Sequence, residues 1–344
     1  MTAAPTSHLP EPFDTRVVIP DIDAVPHGDP DAVRLVFGGD AFATGWRTDL
    51  YVERTAASRL EDSLPRRIRA WLDLIDRQMS PYRPDSDLAR FNEAPPDTFV
   101  PLPQVMMQVL RHAIDMAHLT GGAFDPGLLA AVELWGFGPR IVPDGLPQQA
   151  DIEALKGDAH GWRRLDWRPD GLVRPAGFRL DLNAIAKGYA VDGLCQMLQF
   201  EPGVSAALVE IGGELRGFGA RPDGLPWWVE IEAVDGHAPR TVVAISGRAI
   251  ATSGDLRRSF QHEGLILSHT IDARTACPAR PEIASATVID PQAWRADALA
   301  TALIVMGEAE ARAFAKRHNI ACLLRVRDSG GIREVLSPVL ESWI

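Results

Sequence analysis

After residue 160 the chain reads as a succession of short apolar runs at hairpin spacing, and this feature narrows the possible folds most. Candidate strands fall at 172–174, 178–181, 206–211, 227–234, 241–246, 248–252, 265–271, 285–289, 320–327 and 332–336. Only two helical stretches interrupt them, about 184–199 and 297–317. Parallel sheets need a long crossover between consecutive strands, which this succession does not supply. The expected class is therefore α+β, with largely antiparallel sheets flanked by helices.

The first half is richer in helix. Leu60, Leu64, Ile68, Trp71, Leu72, Ile75 and Met79 recur at three- and four-residue steps and predict a helix over 57–79. Ser86 can cap a short helix through Phe91. A further amphipathic helix is expected over 103–119, stopped by Thr120-Gly121-Gly122. Strands are expected at 33–37 and 46–53, around a turn-rich loop containing Phe42. Residues 1–30 carry several prolines and acids with no period and read as an arm or disordered tail. No linker divides the remainder, so 31–344 is expected to form one interwoven unit.

Composition narrows the function classes. The 46 acidic residues exceed the 35 basic ones, giving −11, which disfavours nucleic acid as a partner. The apolar share of 46% is ordinary for a globular chain, and no run approaches a membrane span. The N-terminal residues lack the apolar core of an export signal, so a cytoplasmic location is expected, with a periplasmic one as the alternative if a signal was trimmed. Three cysteines without C-x-x-C spacing, Cys195, Cys277 and Cys322, argue against a disulfide framework or a zinc site.

Several short segments could carry chemistry. Asp297 and Thr301 lie four apart on a predicted helix, so a carboxylate and a hydroxyl share one face and can reach one hard cation. On spacing alone, a charge near a helix N-terminus is the plainer reading. Asp181 ends an alternating strand, Asn183 can cap the following helix, and Lys187 lies one turn on. Free amides and a lysine there suit a phosphate, as they also suit an ordinary strand-to-helix turn. A carbonyl near Ala184 could face a cation. Gly121-Gly122-Ala123-Phe124-Asp125-Pro126 offers permissive backbone, a ring and an acceptor, or merely a turn. Ile211-Gly212-Gly213-Glu214 and Ala251-Thr252-Ser253-Gly254-Asp255 read as glycine-containing turns after strands. His269, in a strand-like run before Asp272, is a candidate general base, although a lone histidine is more often structural. No G-x-S-x-G elbow and no H-E-x-x-H motif occurs.

In order, Ala41 to Thr44, Met79-Ser80-Pro81-Tyr82 through Asn92, Gly121 to Pro126 with Leu134 to Phe137, Asp181 to Asp192, Ile211 to Gly213, Ala251 to Asp255, Ser268 to Arg274 and Asp297 to Thr301 resemble the motifs of the ApbE-type FAD:protein FMN transferases. The resemblance implies transfer of FMN from FAD to a threonine of a partner protein, with release of AMP. It implies FAD contacts at Phe42, Tyr82, Ala123, Phe124, Asp125, Asp181, Lys187 and Ile271. It implies a magnesium ion (Mg2+) held by Ala184, Asp297 and Thr301, and His269 as the catalytic residue that activates the acceptor hydroxyl. The family's Met-Gly-Thr reads Phe42-Ala43-Thr44 here, and its Asp-Pro-Arg-Thr-Gly reads Asp272-Ala273-Arg274-Thr275-Ala276. Hydrolysis of FAD to FMN and AMP, or FAD binding without turnover, are the competing expectations. The family's acceptor motif, an Asp followed by Ser/Thr-Gly-Ala-Thr, does not occur in this chain, so the acceptor is expected to be another protein.

Overall fold

The computed structural model describes residues 15–21, 28–139, 145–156, 160–232, 239–255, 259–262 and 265–344. Among these, eight strands form the central sheet: β1 (Val33–Ala41), β2 (Thr44–Val52), β3 (Val204–Ile211), β4 (Glu214–Phe218), β5 (Arg248–Gly254), β6 (Ile283–Asp290), β7 (Ala321–Asp328) and β8 (Gly331–Leu336). They lie side by side in chain order, and every neighbouring pair is antiparallel. The α+β expectation with largely antiparallel sheets holds.

Strict alternation explains why both faces are covered. In β3, Ala207, Val209 and Ile211 face the main core while Ala206 faces a second one. Likewise Cys322, Leu324 and Val326 of β7 enter the main core, and Ala321 and Leu323 the second. A strand has period two, so successive apolar residues, as in Ala206-Ala207 and Ala321 to Leu324, mean burial on both sides.

Four longer helices build the main core: α1 (Ala57–Met79), α2 (Gln104–Leu119), α3 (Asn183–Gln199) and α4 (Ala293–Arg317). Helices α3 and α4 pack on the sheet and on each other, and α1 packs against α3. Leu60, Leu64, Ile68, Leu72, Ile75 and Met79 of α1 are buried. Trp71, also expected on this stripe, is only partly buried, donates its indole N–H to the Ala190 carbonyl at 2.9 Å, and leans on Gly193. The other face of the sheet is covered by a three-stranded sheet in which Thr15–Val18 pairs parallel to Arg240–Val243. Thr15–Val18 belongs to the Pro-rich arm; residues 1–14 and 22–27 of that arm lie outside the described residues, as do 233 and 234 of the expected 227–234 strand.

Two local expectations are corrected. Residues 178–181 alternate like a strand because Phe178 and Leu180 are buried, yet they join no sheet. Arg179 forms a single bridge to Leu128, and the Asp181 N–H donates to the Pro126 carbonyl at 2.7 Å. The segment is thus stitched to the loop that follows α2. Helix α4 begins at Ala293, four residues before the expected start, and its backbone breaks at Gly307 (φ 74°, ψ 170°).

No described helix is long and apolar enough to cross a membrane. Cys195, Cys277 and Cys322 are free thiols, and burial pushes the Cys195 thiol up to about 12.

Candidate active site

One end of the central sheet brings the Phe42 turn, the Lys187 helix face, Asp297 and Thr301 into one neighbourhood. The β1–β2 hairpin tip is a two-residue turn, fixed by the pairing of Ala41 with Thr44. Its residues, Phe42 (φ 52°) and Ala43 (φ 57°), both take left-handed backbone that such a turn demands and glycine or asparagine usually supplies. A left-handed L-residue costs roughly 1–2 kcal/mol, so this tip holds an aromatic side chain in place against strain. The tip rests on the next hairpin, where the Gly212 N–H donates to the Gly45 carbonyl at 3.0 Å. A Cβ at Gly212 would lie 2.8 Å from Thr44 Cγ2. That second turn leads into Glu214, the first residue of β4.

Glu214 is 3% exposed and forms an ion pair with Lys187 of α3. Ala184, Lys187 and Gly188 share one face of that helix at three- and four-residue spacing. The Gly188 N–H donates to Asp297 Oδ2 of α4 at 3.0 Å. The two helices touch here because residue 188 has no side chain: a Cβ would lie 2.4 Å from the Ala293 carbonyl oxygen. We expect Gly188→Ala to push the helices apart and destabilise the protein by about 1–3 kcal/mol in chemical denaturation. A change under about 0.5 kcal/mol would show that the contact is not tight.

The start of α4 is fixed from α3 as well. Both Asp192 carboxylate oxygens accept from its first amides, Oδ1 from Ala293 at 3.0 Å and Oδ2 from Trp294 at 2.9 Å, while Arg216 of β4 pairs with Oδ1. A carboxylate at a helix N-terminus satisfies unpaired N–H groups and opposes the positive end of the dipole. Asp297 and Thr301 are thereby held one turn apart. The Thr301 hydroxyl lies 3.0 Å from Ser253 Oγ on β5. The neighbouring Thr252 hydroxyl bonds to Thr287 instead, and Asp255 is taken by Arg327.

Electrostatics mark the same place. Burial raises the Asp297 carboxyl, opposed by the Lys187 ammonium and by the Gly188 amide. Burial also raises Glu214, with Lys187 opposing and the Asp297 charge adding to the rise. Among the described residues, no three His, Cys, Asp or Glu side chains converge as a closed metal cage requires. Magnesium needs no such cage, since it is usually held by one or two carboxylates with water and phosphate. A buried aspartate, a neighbouring hydroxyl and a buried Glu214 Oε2 with no hydrogen-bond partner fit such an ion.

At the start of α3 the expected cap is replaced. Asn183 lies within the helix, and Asp181 Oδ1 accepts from the Asn183 amide at 2.9 Å. Desolvation pushes Asp181 up to about 6 from 3.8. Between those values the folded protein binds more protons than the unfolded chain, so stability falls as pH rises through about 6. Asp181→Asn keeps the acceptor oxygen and is expected to melt higher than the parent at pH 7.5 but not at pH 3.5. An equal gap at both pH values would count against a desolvated carboxylate.

The Gly121-Gly122 loop behaves as its glycines suggest, with φ of 62° and 88°. Phe124 is buried. Asp125 accepts from the Gly127 amide at 2.7 Å and from the His160 amide at 3.2 Å, with His160 Nδ1 also at 3.2 Å. The His160 ring lies over Gly122, where a Cβ would come within 2.1 Å of it. His160 and Glu214 were not anticipated. Glu214 was visible only as the end of a glycine turn, and nothing local marks His160.

His269 lies in the gap between the strands Leu265–Ser268 and Ile271–Asp272, not within one continuous strand. Its ring meets Phe137 edge-on at 6.3 Å, and the Phe137 carbonyl accepts from the Tyr82 hydroxyl at 3.1 Å. Tyr82, 58% exposed, is thus linked to His269 through Phe137. Ile271 is buried with Ala131, Ile152 and Ala276, and the Trp135 indole donates to the Ala276 carbonyl at 2.7 Å. Ala276 (φ 53°) keeps the left-handed backbone although it is not glycine. Arg274 ties this loop to α4: it pairs with Asp272 at 2.9 Å and donates to the Val305 carbonyl at 3.1 Å, beside the Gly307 break.

The ApbE family model matches residues 42–324, which span every predicted site residue from Phe42 to Thr301. An FAD:protein FMN transferase of Vibrio cholerae is 36% identical over 276 residues, covering 79% of this chain and 82% of that protein. One of Escherichia coli is 31% identical over 323 residues, covering 90% and 89%. The apo crystal structure of the flavinyl transferase ApbE of Pseudomonas stutzeri superposes with a TM-score of 0.83 at 33% identity, covering 91% of this chain and 97% of that one. The buried meeting of α3, α4 and the β3–β4 turn therefore lies inside a chain that belongs to the ApbE family.

Proposed function

We propose that the protein is an FAD:protein FMN transferase that uses magnesium, modifies a threonine hydroxyl of a separate acceptor protein and releases AMP. The observation that carries this reading is the buried convergence of Asp297, Lys187 and Gly188 where α3 meets α4, in a chain whose relatives bear that activity in their names. Residues 31–344 act in it as one catalytic unit.

In this reading Phe42, Tyr82, Ala123, Phe124, Asp125, Asp181 and Ile271 line the FAD. The Lys187 ammonium faces its pyrophosphate. Asp297, the Thr301 hydroxyl and the Ala184 carbonyl would hold the magnesium ion. When bound, the ion draws charge from the pyrophosphate and lowers the cost of displacement there. An imidazole nitrogen of His269 takes the proton of the threonine hydroxyl. The hydroxyl oxygen bonds to the FMN phosphorus, the P–O bond to the AMP phosphate breaks, and AMP carries away the electron pair.

The test is mass spectrometry of an acceptor domain carrying Asp followed by Ser/Thr-Gly-Ala-Thr, incubated with this protein, FAD and magnesium. The expected result is a mass gain of one FMN less water on the acceptor, with stoichiometric AMP. Free FMN and AMP with an unmodified acceptor would make the protein an FAD pyrophosphatase. Intact FAD throughout would leave only binding.

A further inference from the structure

Glu214 takes no proton and forms no bond in the chemistry above, yet it is buried beside the groups that would hold the ion. Its Oε1 is paired with Lys187, its Oε2 has no hydrogen-bond partner, and the Asp297 charge acts on it directly. When ionised, the two buried carboxylates and the Lys187 ammonium sum to −1. Leaving a buried carboxylate oxygen unsatisfied is costly, and holding net charge out of water more so. A site of this sign also repels the anionic pyrophosphate of FAD until a cation enters. Glu214 further holds on to the Lys187 ammonium, which could otherwise help draw the pyrophosphate in without a metal.

We propose that Glu214 makes FAD binding conditional on the divalent cation: it supplies the negative charge that excludes metal-free FAD and that the cation must first offset. The inference rests on Lys187 and Asp297 facing the pyrophosphate. Glu214 is a positioning residue here, acting through Lys187 and the charge of the site. Its signature is a binding coupling, and such couplings are reciprocal: magnesium tightens FAD by the same factor by which FAD tightens magnesium.

The test is fluorescence titration of the full chain with FAD and with riboflavin, in EDTA and in excess magnesium, at constant ionic strength. For the wild type, magnesium is expected to tighten FAD and to leave riboflavin, which lacks phosphate, unchanged. Glu214→Gln should tighten metal-free FAD, shrinking the magnesium enhancement by about 10-fold or more. Glu214→Asp should largely retain the enhancement. A wild-type enhancement surviving in Glu214→Gln overturns the proposal, as does an equal enhancement for riboflavin. The riboflavin comparison uses the unaltered protein, so it decides even where Glu214→Gln does not fold. A wild type that binds no FAD in magnesium removes the transferase reading itself, a result distinct from FAD binding without the coupling.

Discussion

Asp297→Ala is expected to abolish magnesium-dependent turnover while the protein stays folded. The carboxylate is the one charged oxygen that α4 presents beside Gly188, and a bound divalent ion supplies several kcal/mol of charge stabilisation in such displacements. At about 1.4 kcal/mol per tenfold, loss of the ion should slow turnover by about 10²-fold or more. Folding should survive because removing the carboxylate has two opposed effects. The Gly188 amide loses its partner, at about 1–3 kcal/mol. The site also loses a buried charge whose desolvation already raises its pKa. Thr301→Ser keeps its hydroxyl near Ser253 and should be much milder. Rates as a function of magnesium, together with melting curves, decide the matter. An Asp297→Ala enzyme with wild-type rates at low magnesium would reduce this carboxylate to a helix-end charge.

His269→Ala is expected to keep FAD affinity and lose most transfer. A positioned general base is worth typically 10²–10⁴-fold, so kcat should fall by that factor. The ring is half-buried and its edge-on contact is with Phe137, which other groups hold as well. The dissociation constant for FAD should barely move. Stability, FAD affinity and kcat measured on the one variant separate the roles. A destabilised protein with weakened FAD binding and normal turnover at saturating FAD would take His269 out of the mechanism.

Sequence periodicity revealed the elements whose burial pattern is local. Helix α1 runs from Ala57 to Met79 as its apolar steps predict, and Ser86 caps the next helix by accepting from the Ala89 amide at 2.9 Å. The errors arise where a distant partner overrides local preference. Asn183 is a good cap by type, but Asp181, fixed to Pro126 by its own amide, reaches the helix first. Helix α4 starts early because Asp192, 101 residues before Ala293, supplies acceptors for its first amides. Phe178 and Leu180 alternate convincingly, yet no neighbouring strand is available to pair with them. Glu214 was unreadable for the same reason. Its importance comes from Lys187, 27 residues earlier, and a carboxylate after two glycines carries no mark of that pairing. The family resemblance located Asp297 and Lys187, and the structure brings them to one place.

The consecutive order of the central strands has a consequence for how the chain folds. From β3 to β8 each strand pairs with the next one in the sheet along the chain, and β1 with β2. The longest stretch between neighbours is at the seam between β2 and β3, where everything from Glu53 to Gly203 must be looped out before Val52 meets Val204. That closure carries the largest entropic cost in the sheet, and non-local pairings of this kind set folding rates. Phe42 lies on one side of the seam and Glu214 on the other, while α1 and α3 belong to the loop itself. FAD competence should therefore appear in the slowest refolding phase, after the strands following Val204 have paired. A flavin fluorescence change that accompanies the first burst of β-structure would contradict this order.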